Sequence, residues 1–247
     1  MNLVLVHSYQ VLPIAAFYDS RCGVAVNTLA ELSSHKNHRV RRRCCEMISH
    51  FLIDLPDRYD HTQRLLPYLL SFVNDIVPAT QRAALQCLET CGRQYEREHP
   101  DEVLDKRQYG VDGEDAIDYN NELPAPFTAR PGLGARLFVR ANTDRFFRAL
   151  LGELSYWKEH TRRRSAELLL TLTVYCEEHL AKYFHHTIDA IAKVGANKRK
   201  ALDQHDPTLA TTQKIIRSLT KYSAGDEAMA IELARVQTVL DVSIEAI

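Results

Sequence analysis

The sequence predicts an all-α protein, a right-handed α-solenoid of about four helix pairs with unpaired helices at its ends. Only 9 Gly and 9 Pro occur in 247 residues, several of them between 92 and 134, so long stretches on either side lack backbone breakers. One amphipathic pattern recurs in those stretches at steps of about 40 and about 81 residues, one period and close to two for stacked helix pairs. The short, turn-punctuated apolar runs of an all-β domain are missing. Hydrophobic residues make up 45% and charged residues 26%, with a formal net charge of −1, so no global field draws the chain to nucleic acid or anionic membrane.

The recurring pattern is clearest in RVRRRCCEMISHFL, residues 39–52. At about 100° per residue, Val40, Cys44, Met47, Ile48, Phe51 and Leu52 share one arc, with Cys45 at its edge. Arg42, Glu46, Ser49 and His50 fall outside it. Arg41 lands inside the apolar arc, where a charge needs a partner. QRAALQCLETCG from Gln81 and RRRSAELLLTLT from Arg162 repeat the arrangement, with Gln81 and Arg162 at the position of Arg41.

Each copy follows another amphipathic segment across a short polar turn: VAVNTLAELSSH with turn 35–39, HTQRLLPYLLSFVND with turn 74–79, and DRFFRALLGELSYW with turn 157–160. Helix A, turn, helix B is the unit. A fourth unit reads as helix A in EEHLAKYFHHTIDAIAKV, a long basic connection GANKRKALDQHDP, and helix B in TLATTQKIIRSLTKY. Asp226–Ile247 predicts a further helix A, and Met1–Tyr18 a helix B without its partner. The chain therefore reads as a piece of a longer array. Residues 96–134, acidic and rich in Gly, Pro and Asn, replace the unit due near 120 and predict an insertion or long loop. The expected organisation is N-terminal repeats over 1–95, the insertion over 96–134, and C-terminal repeats over 135–247.

Helix pairs of this length, opened by VR-x-x-C-x-x-x-I and its variants, resemble HEAT repeats of the HEAT/armadillo class. That resemblance implies a ladder between a turn aspartate and an arginine at the start of helix B. Here Arg41 and Arg162 hold the arginine position, Gln81 replaces it, and Asp75 lies in the second turn, so Arg41 with Asp75 is the candidate pair. DRYDHTQRLLPYLLSFVND (57–75) and the stretch from RPGLGARLFVRANTDRFF to VYCEEHLAKYF (130–184) resemble more specifically the family of HEAT-repeat axonemal dynein assembly factors. This resemblance implies a cytoplasmic scaffold for dynein arms of motile cilia, with axonemal dynein chains and assembly co-chaperones as partners. It implies no cofactor, no enzymatic activity, and a monomer or array fragment. A HEAT scaffold of transport or phosphatase complexes is the alternative, with a HEAT-type metal-dependent hydroxylase behind it.

Motifs for chemistry are few. Cys44, Cys45, Cys87 and Cys91 could suggest a soft-metal site, but core-facing positions make buried thiols the better reading. His-Glu dyads of an iron site do not occur; only the reverse order appears, at Glu98-His99, Glu159-His160 and Glu178-His179. No phosphate loop, dinucleotide fingerprint or nucleophile elbow is present. The outward arginines Arg42, Arg82 and Arg163 predict a row that reads as a solvated helix face or, as the candidate contact, a basic stripe suited to an acidic protein surface, and few aromatics beside them argue against single-strand stacking. No run approaches the roughly 20 apolar residues that span a bilayer.

Overall fold

The computed structural model describes residues 18–21, 24–109, 123–156, 158–200, 207–222 and 227–245. The chain divides into two compact units, Met1–Cys91 and Gly92–Ile247. Helices dominate both, in the helix-pair arrangement of an α-solenoid. Among the described residues no helix is long and apolar enough to cross a membrane.

The described part of the first unit begins with an antiparallel strand pair, β1 (Tyr18–Arg21) and β2 (Val24–Asn27), paired from Tyr18 with Asn27 to Arg21 with Val24. The sequence predicts helix across VAVNTLAELSSH, but only Thr28–Ser33 (α1) is helical. The alternating β-branched Val24 and Val26 suit a strand, and Asn27 resets the chain by accepting the Ala30 N–H at 3.1 Å. The same Asn27 donates to the Tyr68 hydroxyl at 2.6 Å. A helix over Met1–Tyr18 was expected too; Tyr18 belongs to β1, and the rest of that segment lies outside the described residues.

Helix α2 (His38–Asp54) is capped by Asn37, whose Oδ1 accepts the Arg39 N–H at 2.9 Å. It buries Cys44, Cys45, Met47, Ile48, Phe51 and Leu52, against α1 and the following helix α3 (Arg58–Phe72). Full burial of one such side chain as Ile48 contributes roughly 1.5–3 kcal/mol. Cys45, expected at the edge of the arc, is fully buried because the next helix, α4 (Pro78–Glu98), brings Cys87 to that flank. Pro78 stands at the start of α4, where its missing N–H costs nothing.

In the second unit, α4 ends at Glu98 and α5 (Pro100–Tyr109) follows at once. The first part of the 96–134 stretch is thus helical where an irregular excursion is expected. Tyr95 holds α5 by stacking on His99 at 4.1 Å and donating to Glu102 at 2.8 Å. Next come α6 (Leu133–Thr143), α7 (Phe147–Glu153) and α8 (Glu159–Cys176). A 3₁₀ helix (Glu177–Tyr183) continues into α9 (Phe184–Lys200), then α10 (Pro207–Tyr222) and α11 (Glu227–Glu245). The predicted basic connection after Val194 is helical through Lys200, so α9 is longer than its apolar pattern.

Helix α8 is the centre of this unit. Every residue from Leu168 to Cys176 is buried, with α6, α7 and α10 packed around it. Its buried hydroxyls bond back along the helix, Thr171 to the Glu167 carbonyl and Thr173 to that of Leu170. Tyr222 of α10 donates to the Thr173 carbonyl at 3.0 Å. Where α4 crosses α6, backbone meets backbone: a Cβ on Gly92 would lie 2.3 Å from the Ala135 nitrogen, and one on Gly134 would lie 2.3 Å from the Gly92 oxygen. Glu96, one turn along α4, accepts the Gly134 N–H at 2.9 Å and so caps α6 from a neighbouring helix.

Candidate functional site

Arg41, the one charged residue in the apolar arc of α2, reaches Asp75 in the α3–α4 turn. Its Nε donates to Oδ2 at 2.6 Å and its second terminal nitrogen to Oδ1 at 3.1 Å, a two-point contact with both side chains largely buried. The remaining nitrogen donates to the carbonyls of His35 at 2.9 Å and Lys36 at 3.2 Å, in the α1–α2 turn. Asp75 also accepts the Val77 N–H at 2.8 Å and so sets the start of α4. One guanidinium therefore ties two turns and a helix start together, and the hydrogen bonds it donates to Asp75 hold it charged by pushing its pKa up. Arg41→Ala is expected to cost about 2–4 kcal/mol, since it leaves the Asp75 carboxylate buried without its cation. Arg41→Lys should recover part of this, and urea unfolding of the single and double variants with Asp75→Asn measures the coupling.

The equivalent arginine of α8 repeats the bond to the preceding turn. Arg162 donates to the Tyr156 carbonyl at 3.0 Å, six residues back, as Arg41 does to His35. Gln81, at the same position in α4, is half-buried, and its backbone N–H donates to the Val77 carbonyl at 3.2 Å. Sequence spacing thus locates the brace, while the residue type decides whether it forms.

The outward arginines are exposed, but two of them are already paired. Arg42 donates to Glu46 at 3.0 Å and Arg163 to Glu167 at 2.9 Å, each a single turn along its helix. Arg43 also contacts Glu46, at 2.7 Å. Arg82 has Gln86 at that spacing and holds no ion pair among the described residues.

A second charged joint went unforeseen. Glu177, 1% exposed, receives three arginines: Arg130 at 2.6 Å, Arg136 at 2.9 Å and Arg140 at 2.6 Å. Arg136 and Arg140 are buried one turn apart on α6, and they also donate to the carbonyls of Pro131 and Tyr175. Arg140 touches the half-exposed Glu178 at 3.1 Å. Glu177 has φ 48° and ψ −130°, which ends α8 and turns its side chain into the cluster. Phe127, edge-on to Tyr175 at 5.8 Å, and Arg130 fasten the 123–132 segment to the same place. The sequence signal was the pair Arg136 and Arg140 within the apolar LGARLFVRA, two cations four residues apart on a helix with no acid beside them.

The five described cysteines are free and buried. Burial, helped by neighbouring Cys87, pushes the Cys45 thiol up to about 12, and burial does the same to Cys176. Among the described residues no group of His, Cys, Asp and Glu could hold a metal ion. A thiol whose pKa is raised by folding stabilises fully below its ordinary 9.0, and the contribution is lost as pH rises through about 12. Unfolding free energy should therefore fall from about pH 9 upward, and iodoacetamide at about pH 8 should leave these cysteines unlabelled until urea is added.

Two family models fall one after the other on the chain. "Dynein axonemal assembly factor 5-like, TPR repeats" matches residues 21–106, and "Dynein axonemal assembly factor 5, HEAT-repeat domain" matches 122–228. The chain belongs to the dynein axonemal assembly factor 5 family. Family members named dynein axonemal assembly factor 5 from Xenopus laevis, Homo sapiens and Drosophila melanogaster are 27%, 28% and 28% identical over 176, 169 and 172 residues. Those matches cover 67%, 67% and 66% of this chain and 20%, 19% and 19% of the relatives, so the matched part spans about a fifth of their length. No solved structure matches. The Arg41–Asp75 joint lies inside the first match to the assembly-factor family and the Glu177 cluster inside the second.

Proposed function

We propose that this chain is a non-catalytic scaffold segment that holds axonemal dynein chains in the cytoplasm while dynein arms are put together. The observation that carries the reading is the succession of two assembly-factor models, one on each side of residue 110, over a chain built of helix pairs. The distribution of charge supports it: the buried charged groups described above are committed to joints between turns and helices, which suits a protein whose work is to keep an extended surface in shape. Axonemal dynein chains and assembly co-chaperones are the partners; nucleic acid, membrane and cofactors have no part in the proposal. Of the basic row, Arg82 is the member with charge to offer, so reversal at Arg82 should weaken client binding more than reversal at Arg42 or Arg163.

Affinity capture of the tagged chain from ciliated cells, read by mass spectrometry, tests this. Enrichment of axonemal dynein chains with co-chaperones is expected. Capture of transport or phosphatase subunits without any dynein chain would favour the generic scaffold, and stoichiometric iron or zinc in the purified protein would favour the hydroxylase.

A further inference from the structure

The α1–α2 and α3–α4 turns of the first unit lie side by side, because the Arg41 guanidinium touches the carbonyls of His35 and Lys36 and the carboxylate of Asp75 at once. From this edge Ile76 projects with 81% of its surface exposed, the highest value among the large apolar residues described. Its neighbours explain the turn without it: Asp75 makes the joint, and Val77 supplies the N–H that Asp75 accepts. An aliphatic side chain held in water by a braced turn contributes nothing to the fold.

The exposed charges of the two turns and of the helix starts that follow them are mostly cationic. Lys36, Arg39 and Arg82 are exposed and hold no ion pair among the described residues. The nearby acids are committed, Asp75 to Arg41 and Glu46 to Arg42 and Arg43. The two joined turns and the helix starts beside them therefore present an exposed aliphatic side chain together with exposed cations, and the complement of that edge is a surface carrying carboxylates and an apolar anchor.

We propose that this edge is a docking site for an acidic protein segment with an apolar anchor, in which Ile76 packs on the anchor while Lys36, Arg39 and Arg82 meet the carboxylates. The inference rests on the scaffold reading and specifies the chemistry of its client. Nucleic acid fits less well, since the edge exposes no Phe, Tyr or Trp for stacking and phosphates gain nothing from Ile76.

The test uses the whole chain and a fluorescein-labelled synthetic peptide repeating Glu-Glu-Leu, followed by anisotropy at low and at moderate salt. Lys36→Glu combined with Arg82→Glu should weaken binding about tenfold, with the larger loss at low salt. Ile76→Asp should weaken it about fivefold at either salt, whereas Ile76→Leu should not. A polyglutamate control should be indifferent to the aliphatic substitutions. Thermal midpoints should stay unchanged, because the substituted side chains are exposed. Absence of peptide binding by the wild type at low salt, equal binding by all variants, or displacement of the peptide by a single-stranded oligonucleotide of equal charge would each overturn the proposal. Repeating the dynein capture with Ile76→Asp separates the two levels. Undiminished capture by the variant would remove this docking edge and leave the scaffold standing, whereas no capture by the wild type would remove the scaffold reading.

Discussion

Glu177→Ala is expected to destabilise the second unit by about 3–5 kcal/mol, because it strands the guanidinium groups that converge on one buried carboxylate. The side chains of Arg136 and Arg140 are only 6% and 7% exposed, so neither can turn to water without dismantling α6 packing. Glu178, which touches Arg140 and is 44% exposed, cannot replace the lost buried charge. Glu177→Gln keeps the shape and loses the charge, and should cost nearly as much. Glu177→Gly separates backbone from charge: it relieves the positive φ, worth about 1 kcal/mol, yet should remain clearly less stable than wild type. Thermal unfolding followed by circular dichroism should show the second unit melting about 10 °C lower in the alanine variant. A shift within about 2 °C would mean that the arginines find solvent instead.

The second large effect is expected at the crossing of α4 and α6. Gly92→Ala and Gly134→Ala each place a Cβ within 2.3 Å of backbone atoms of the opposing segment, and backbone cannot swing aside as a side-chain tip can. The helices must separate, which also breaks the bond from the Gly134 N–H to Glu96. Alanine in a helix interior normally gains about 1 kcal/mol over glycine, so a net loss of about 2 kcal/mol at Gly92 would reverse the intrinsic preference. Glu96→Gln, which retains an acceptor, should be mild by comparison. Urea unfolding of the three variants ranks these terms, and a stabilised Gly92→Ala would show that the helices are free to part.

What could be read in the sequence follows from which interactions are local. Arg41 declared itself because a charge inside an apolar arc must be answered, and Asp75 stood in a turn one repeat further on. The i−6 bond of Arg162 is equally local and shares the spacing. Val24–Asn27 does not declare itself as a strand because VAVNTLAEL satisfies both periods, a helical one through Val26, Leu29 and Ala30 and an alternating one through Val24 and Val26. Glu177 was opaque for a different reason: its partners Arg140 and Arg136 lie 37 and 41 residues earlier, and no periodicity records which distant residue meets which. Gly92 and Gly134 each look like ordinary flexible positions until the other's backbone is beside them. Cys45 passed for an edge residue because the arc of α2 was drawn for one contacting neighbour, while α4 adds a second.

The brace from Arg162 to the Tyr156 carbonyl, shared by Arg41 and His35, closes within its own helix pair. The Asp75 contact, like those of Asn27 with Tyr68 and of Tyr222 with Thr173, reaches from one pair to the next. Because the turn clasps are local, tension along the array is expected to part successive pairs before it opens a turn, and the parted pairs would keep the shape needed to dock again. Were the chain the scaffold proposed above, it would gain compliance this way without having to refold after every load.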